Sequence, residues 1–203
     1  MKILNLYSGI GGNRRLWGNE HEITAVEMDK DIAKIYSHFF PDDNVVIGDA
    51  HEYLKEHFAE YDFIWASPPC PSHSRMRLFI VRTENIKPIY PDMKLYEEII
   101  FLKYYFKGRY CVENVKSYYE PLIKPHESGR HYYWANFVLP KFRQKGELII
   151  NEYSIEEKQK AKGFDLSMFH NVDKKKILNN CVDSNEAKEI LDCAMMNKQK
   201  VLE

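Results

Sequence analysis

The sequence predicts an α/β protein with a doubly wound, mostly parallel sheet. Three observations predict it. Short β-branched runs alternate with stretches of helical periodicity. The helical stretches are about ten residues long, the length of a parallel crossover. And the runs end in turn-forming or acidic residues, as strands do when a sheet carries a ligand at its carboxyl ends.

Each element follows from its residues. Residues 2–7 (KILNLY) form a first strand that runs into Ser8-Gly9-Ile10-Gly11-Gly12. Residues 21–27 (HEITAVE) form a second. Asp29 caps a helix through Phe39, with Ile32, Ile35, Tyr36 and Phe39 on one face. Val45-Val46-Ile47 is a third strand ending at Gly48-Asp49, followed by a helix over roughly 51–58. Residues 61–66 form a fourth strand and deliver the chain to Pro68-Pro69-Cys70. Residues 71–91, with prolines at 71, 88 and 91, read as irregular. A helix starts at Pro91-Asp92 and carries Leu95, Ile99, Leu102 and Phe106 at helical spacing. Residues 109–115 (RYCVENV) are a fifth strand and residues 132–139 (YYWANFVL) a later one. Ser154-Ile155-Glu156-Glu157 is a capping box whose helix closes at Gly163. Asp183 or Ser184 caps a last helix with Ala187, Ile190, Leu191 and Ala194 on one face.

The bulk properties narrow the function. With 203 residues and 44% hydrophobic residues, the chain is expected to be one domain with one sizeable core. A net charge of −1 excludes a globally basic nucleic-acid binder, so any such site is local. No signal peptide and no membrane-spanning run is expected, and no membrane partner. The four cysteines, Cys70, Cys111, Cys181 and Cys193, show no paired spacing, which suits free thiols in a cytoplasmic setting. Cys70 and His73 lack a second pair of ligands, so no metal is expected.

Three features converge at predicted strand ends. The G-x-G-G turn over Gly9–Gly12 allows close backbone approach to a ligand, although it is not the full dinucleotide fingerprint. Glu27 ends the next strand, where a carboxylate accepts hydrogen bonds from ribose hydroxyls. Asp49 ends the third strand, within reach of an adenine amino group. Together they describe a nucleoside pocket without a pyrophosphate cradle, which favours S-adenosyl-L-methionine over NAD.

With these residues in view, the sequence resembles the DNA cytosine-5 methyltransferases. Leu6-Tyr7-Ser8-Gly9-Ile10-Gly11-Gly12 is similar to their first motif, with Tyr7 where the family has Phe. Pro68-Pro69-Cys70 with Ser74 resembles the catalytic Pro-Cys motif, and Glu113-Asn114-Val115 the Glu-Asn-Val motif. Arg130 is the residue taken for the arginine of the Gln-x-Arg-x-Arg motif. Ala161-Lys162-Gly163-Phe164 and Asn179-Asn180-Cys181-Val182 resemble the late motifs, the last of which folds back to the cofactor. Pro71 stands where the family has glutamine, and only about 140–153 is left for target recognition.

The resemblance implies a Rossmann-like S-adenosyl-L-methionine-dependent methyltransferase fold, with a minimal target-recognition segment and with residues 154–203 returning as helices to the catalytic part. It implies cofactor contacts from Tyr7, Ser8, Gly9, Gly11 and Gly12. Glu27, Met28, Asp49 and Ala50 add to them from the strand ends, and Pro69, Asn180 and Val182 complete the set. It implies Cys70 as the nucleophile on cytosine carbon 6, Glu113 at the pyrimidine N3 edge, and Arg130 at the carbonyl of position 2. The expected partner is DNA, as a duplex with a flipped cytosine or as a single strand. Ser72, Ser74, Arg75, Arg77 and Arg82 would contact its backbone, with a second basic cluster at Lys141, Arg143 and Lys145. The alternatives are an RNA cytosine-5 methyltransferase, or a subunit of a split or inactive methyltransferase that needs a partner for target recognition. So little recognition segment makes a homodimer or a partner subunit a further expectation. The expected context is bacterial or viral, with restriction–modification as one role.

Overall fold

The computed structural model describes residues 1–84, 86–140 and 153–199. The expected alternation of strands and helices is present. Strands β1 (Lys2–Leu6), β2 (Glu22–Glu27) and β3 (Asn44–Ile47) are joined through a short 3-10 turn at Arg14–Leu16 and through helix α1 (Lys30–Phe39). Asp29 caps α1 by accepting from the N–H groups of Asp31 and Ile32. Helix α2 (Ala50–His57) then leads to β4 (Phe63–Ala66).

The stretch after Cys70 differs from expectation. It contains a helix, α3 (Arg75–Thr83), whose N-cap is Ser74. None of its residues is buried; the Ser74 hydroxyl caps it and no proline falls within it. Helix α4 (Lys94–Tyr105) starts later than Pro91-Asp92 and feeds β5 (Arg109–Val115). A short hairpin, β6 (His126–Ser128) and β7 (His131–Ala135), completes the sheet; only β7 overlaps the strand expected at 132–139. Helices α5 (Ile155–Lys162), α6 (Lys174–Asn179) and α7 (Ser184–Gln199) follow. The capping box of Ser154 and Glu157 and the left-handed Gly163 cap are both formed. Most of the reduced recognition segment, residues 141–152 with Lys141, Arg143 and Lys145, lies outside the described residues.

The seven strands are ordered β3-β2-β1-β4-β5-β7-β6. The first five run parallel, and β7 pairs antiparallel with β5 and with β6. The chain winds outward from β1 to β3, then returns to lay β4 on the other side of β1. That reversal places a crevice at the carboxyl ends of β1 and β4, where such sheets bind ligands.

Strand alternation distributes the core to both faces. Leu4, Leu6, Ile64, Ala66 and Val112 pack against Leu54 of α2 and Leu95, Ile99 and Leu102 of α4. Ile3, Ile23, Phe63, Trp65 and Tyr133 face Trp17 and the Ala187, Ile190, Leu191 and Ala194 stripe of α7. A third cluster joins Ile10 and Ile35 to Phe164, Leu166, Ile177, Leu178 and Cys181, which anchors α6 and the residues after it beside the glycine turn. Among the described residues, no helix is long and apolar enough to cross a membrane.

Candidate active site

The chain leaves β1 through Tyr7, whose φ of 56° is the one positive value among described non-glycine residues. Its hydroxyl donates to Glu98 Oε1 on α4. The same oxygen lies 3.0 Å from His51 Nδ1 on α2. Glu98 is buried and its Oε2 has no recorded partner. Burial raises its carboxyl above the ordinary value, against the bonds from Tyr7 and His51 that lower it. This buried tie fixes a residue in a strained conformation. The family pattern, with Phe at this position, gave no sign of it.

The glycine turn is held on one side by Glu27. Its Oε2 accepts from the Gly9 N–H at 2.9 Å and its Oε1 from the Asp29 N–H at 2.9 Å. Gly9 has a φ of +55°, and a Cβ there would meet nothing within 4 Å, so its open side faces space. Gly12 is the opposite case: a Cβ would lie 2.3 Å from Cys181 Sγ and 2.8 Å from the Val182 carbonyl. The late segment therefore packs directly on the turn, through Cys181 and Val182. Asn180 is exposed, and its N–H caps α6 on the Lys176 and Leu178 carbonyls.

The expected cofactor residues are gathered at these strand ends, each doing a local task. Ser8 is buried, and its Oγ has no recorded partner. Met28 is 63% exposed and Ala50 is buried. Asp49 caps α2 through the His51 N–H at 2.8 Å, and Lys94 lies 3.6 Å from its other oxygen. Partial burial opposes its charge, but these two contacts hold its carboxyl below the usual range. A nucleoside-bearing cofactor fits these residues: an unpartnered buried hydroxyl, an open glycine and a carboxylate with spare lone pairs lie at one crevice.

The second wall is the turn after β4. Pro68 is buried, Pro69 is exposed and Cys70 is half-buried. The Cys70 carbonyl accepts from the N–H groups of His73 and Ser74, which closes the turn. Asn114 Nδ2 on β5 donates to the Pro68 carbonyl at 2.9 Å, and its Oδ1 accepts from the Val115 N–H. The motif's asparagine thus clamps the cysteine turn to the neighbouring strand, a task the sequence did not disclose. Glu113 is buried beside it. Burial first, then the Glu113 carboxylate, push the Cys70 thiol above its ordinary value, so it carries its proton at rest.

Three placements differ from expectation. Ser72 is buried and its Oγ accepts from the Asp92 N–H at 3.0 Å, so it ties the loop to α4 instead of facing a nucleic-acid backbone. Ser74 Oγ is engaged as the α3 cap. Arg130 lies just before β7, exposed, with no recorded contact to Glu113 or Cys70. His131, one residue on, reaches Glu113 instead, its Nε2 3.6 Å from Oε1. Strand parity explains the swap: Glu113 pairs with Tyr133, so His131 and not Arg130 shares its face. Arg75 Nε donates to the Ser117 carbonyl, Arg77 to the Lys87 carbonyl, and Arg82 is exposed.

Comparison with known proteins bears on the family likeness and the fold. Residues 1–86 match the family of C-5 cytosine-specific DNA methylases. No curated protein matches the sequence. Among solved structures, the methyltransferase EhMeth of Entamoeba histolytica superposes with a TM-score of 0.60 at 12% identity, covering 97% of this chain and 98% of that one. DNMT2 of Spodoptera frugiperda is 24% identical, with a TM-score of 0.44 over 71% of this chain and 53% of that one. Residues 1–86 are thus similar to the C-5 cytosine-specific DNA methylases, and the whole described chain shares the Rossmann-like fold of EhMeth.

Proposed function

We propose that the chain methylates carbon 5 of cytosine in DNA, with Cys70 as a covalent nucleophile and the base taken out of its stack. The observation that carries this reading is the pairing of Cys70 with Glu113 on adjacent strand ends, clamped by the Asn114–Pro68 bond. Carbon 5 of cytosine is a weak nucleophile, and thiolate addition at carbon 6 makes the ring enamine-like and reactive there. The prolines around Cys70 and the Asn114 clamp hold the sulfur in one place, which favours attack over search. Glu113 meets the N3 edge of the ring and supplies the proton that addition requires. The cofactor, when bound, supplies an activated methyl group. Gly9 and Glu27 receive its nucleoside, and Gly12 with Cys181 and Val182 closes the turn beneath. Unstacking the target costs about a few kcal/mol, less when the cytosine is already single-stranded. Arg75, Arg77 and Arg82 lie on α3, the helix that follows the Cys70 turn, and the exposed Arg75 and Arg82 supply salt-dependent phosphate contacts.

The test is adduct trapping. The full chain, with S-adenosyl-L-methionine, is incubated with DNA or RNA containing 5-fluorocytosine. A denaturant-stable adduct with DNA is expected for wild type and none for Cys70→Ala. An adduct with RNA alone moves the substrate to RNA, and an undiminished adduct in Cys70→Ala overturns the nucleophile.

A further inference from the structure

The site holds two groups that become anionic and one that becomes cationic. Cys70 and Glu113 repel one another as charged species: the carboxylate raises the thiol. Among the described residues, the recorded ionic partner of Glu113 is His131, with 29% of its side chain exposed against 9% for Glu113. The two lie diagonally across the β5–β7 pair, Glu113 opposite Tyr133 and Val115 opposite His131, so both project from one face of the sheet. The other groups around His131 are engaged elsewhere. Lys116 on β5 pairs with Glu127 on β6 at 2.8 Å. Tyr133 on β7 donates its hydroxyl to Glu186 of α7, and its ring lies 6.4 Å from the imidazole. Arg130 is exposed.

We propose that His131 is the charge-balancing and positioning residue of this site: as an imidazolium it neutralises Glu113, so that the Cys70 thiolate can form beside it. The inference rests on the reading of Cys70 as the nucleophile, but not on the identity of the nucleic acid. The addition step balances as follows. The Cys70 S–H proton passes to the Glu113 carboxylate. The Sγ–C6 bond forms as the C5=C6 π pair moves into the ring, and Glu113 hands the proton to N3. His131 keeps its own proton throughout, and its charge offsets whichever of the two anions is present. An arginine would do this at every working pH; a histidine does it only while protonated.

The test reads the thiol itself. Cys70 in the full chain is alkylated with iodoacetamide over about pH 5 to 10, and the rate is followed on the Cys70 peptide by mass spectrometry. His131→Gln is expected to slow alkylation roughly threefold or more at about pH 6, where an imidazolium is present, and to leave it unchanged at about pH 9. His131→Arg, a fixed cation, is expected to bring the midpoint below that of wild type. In a Glu113→Gln background the His131 substitutions should lose their effect, a coupling that a purely structural role does not produce. If His131→Gln fails to fold, His131→Arg decides alone. An unchanged rate at about pH 6 for His131→Gln, or an unchanged midpoint for His131→Arg, overturns the proposal, as does an effect of Arg130→Gln that His131→Gln does not give. Because no methyl transfer is read, a chain that never forms a cytosine adduct can still pass, and one that does can fail.

Discussion

Replacing Gly12 by alanine tests how the late segment closes on the glycine turn. The added Cβ would lie 2.3 Å from Cys181 Sγ and 2.8 and 2.9 Å from the Val182 carbonyl and amide. Carbon contacts settle at about 3.5–4.0 Å, so the segment must retreat by about 1 Å. Backbone atoms of Val182 cannot rotate away as a side-chain tip would, and Cys181 is buried among Ile177, Leu178 and Phe164. Overpacking of this kind costs about 1–3 kcal/mol. For a chain of this size each kcal/mol lowers the melting temperature by about 2–4 °C, so a loss of about 2–12 °C is expected. Calorimetric titration with S-adenosyl-L-methionine should show weaker binding in the same variant. Cys181→Ala added to Gly12→Ala removes the nearest obstacle, so the double variant should recover part of the loss, with a coupling of about 0.5–3 kcal/mol. A Gly12→Ala protein that melts and binds like wild type refutes the packing argument. Additive single effects would show that the sulfur is not the obstacle.

Asn114→Ala strips the Pro68 carbonyl and the Val115 N–H of a buried partner, and should destabilise by about 2–4 kcal/mol in urea titration; adduct formation by Cys70 should slow more than cofactor binding weakens. Trp17, fully buried with its indole N–H on the Ala187 carbonyl, pins α7 to the sheet. Trp17→Ala should cost about 3–5 kcal/mol, and hydrogen exchange should show α7 loosening first. Glu98 has its carboxyl raised in the fold by burial, so the folded chain binds that proton more tightly than the unfolded chain. Its contribution is therefore present below the unfolded carboxyl value of about 4.3 and is lost as pH rises through the folded one. Glu98→Gln should flatten stability against pH in that window; an unchanged slope would dissociate the tie to Tyr7 from the titration.

Much of the sheet was legible because each strand declares itself locally. Ile23-Thr24-Ala25-Val26 or Phe63-Ile64-Trp65 has no competing periodicity, and Asp29, Ser154 and Gly163 mark helix ends by their own hydrogen-bonding chemistry. Helix α3 was not legible: the prolines at 71, 88 and 91 frame it as a loop, and the near-continuous apolar run from Leu78 to Val81 gives no clear helical period. At the site, Cys70, Glu113 and the glycine turn stand out as motifs. Their supports do not, because they are long-range: Tyr7 meets Glu98 at 91 positions' separation and Asn114 meets Pro68 at 46. The choice between Arg130 and His131 depends on antiparallel register, which one residue of slip would invert, and the hairpin that sets it is joined by Gly129 with a φ of +50°.

The order β1-β4-β5 also has a mechanical meaning. The glycine turn leaves β1, the Cys70 turn leaves β4 and Glu113 sits near the end of β5, all on consecutive rungs of one parallel ladder. Neighbouring strands in such a ladder stand about 4.8 Å apart. The spacing between the strand ends is thus set by main-chain hydrogen bonds, as a ruler cut into the sheet, and the Asn114–Pro68 bond ties the Cys70 turn to it. Under the proposed function, grafting a different segment between β7 and α5 would change which target is offered to the ruler while leaving its divisions unaltered.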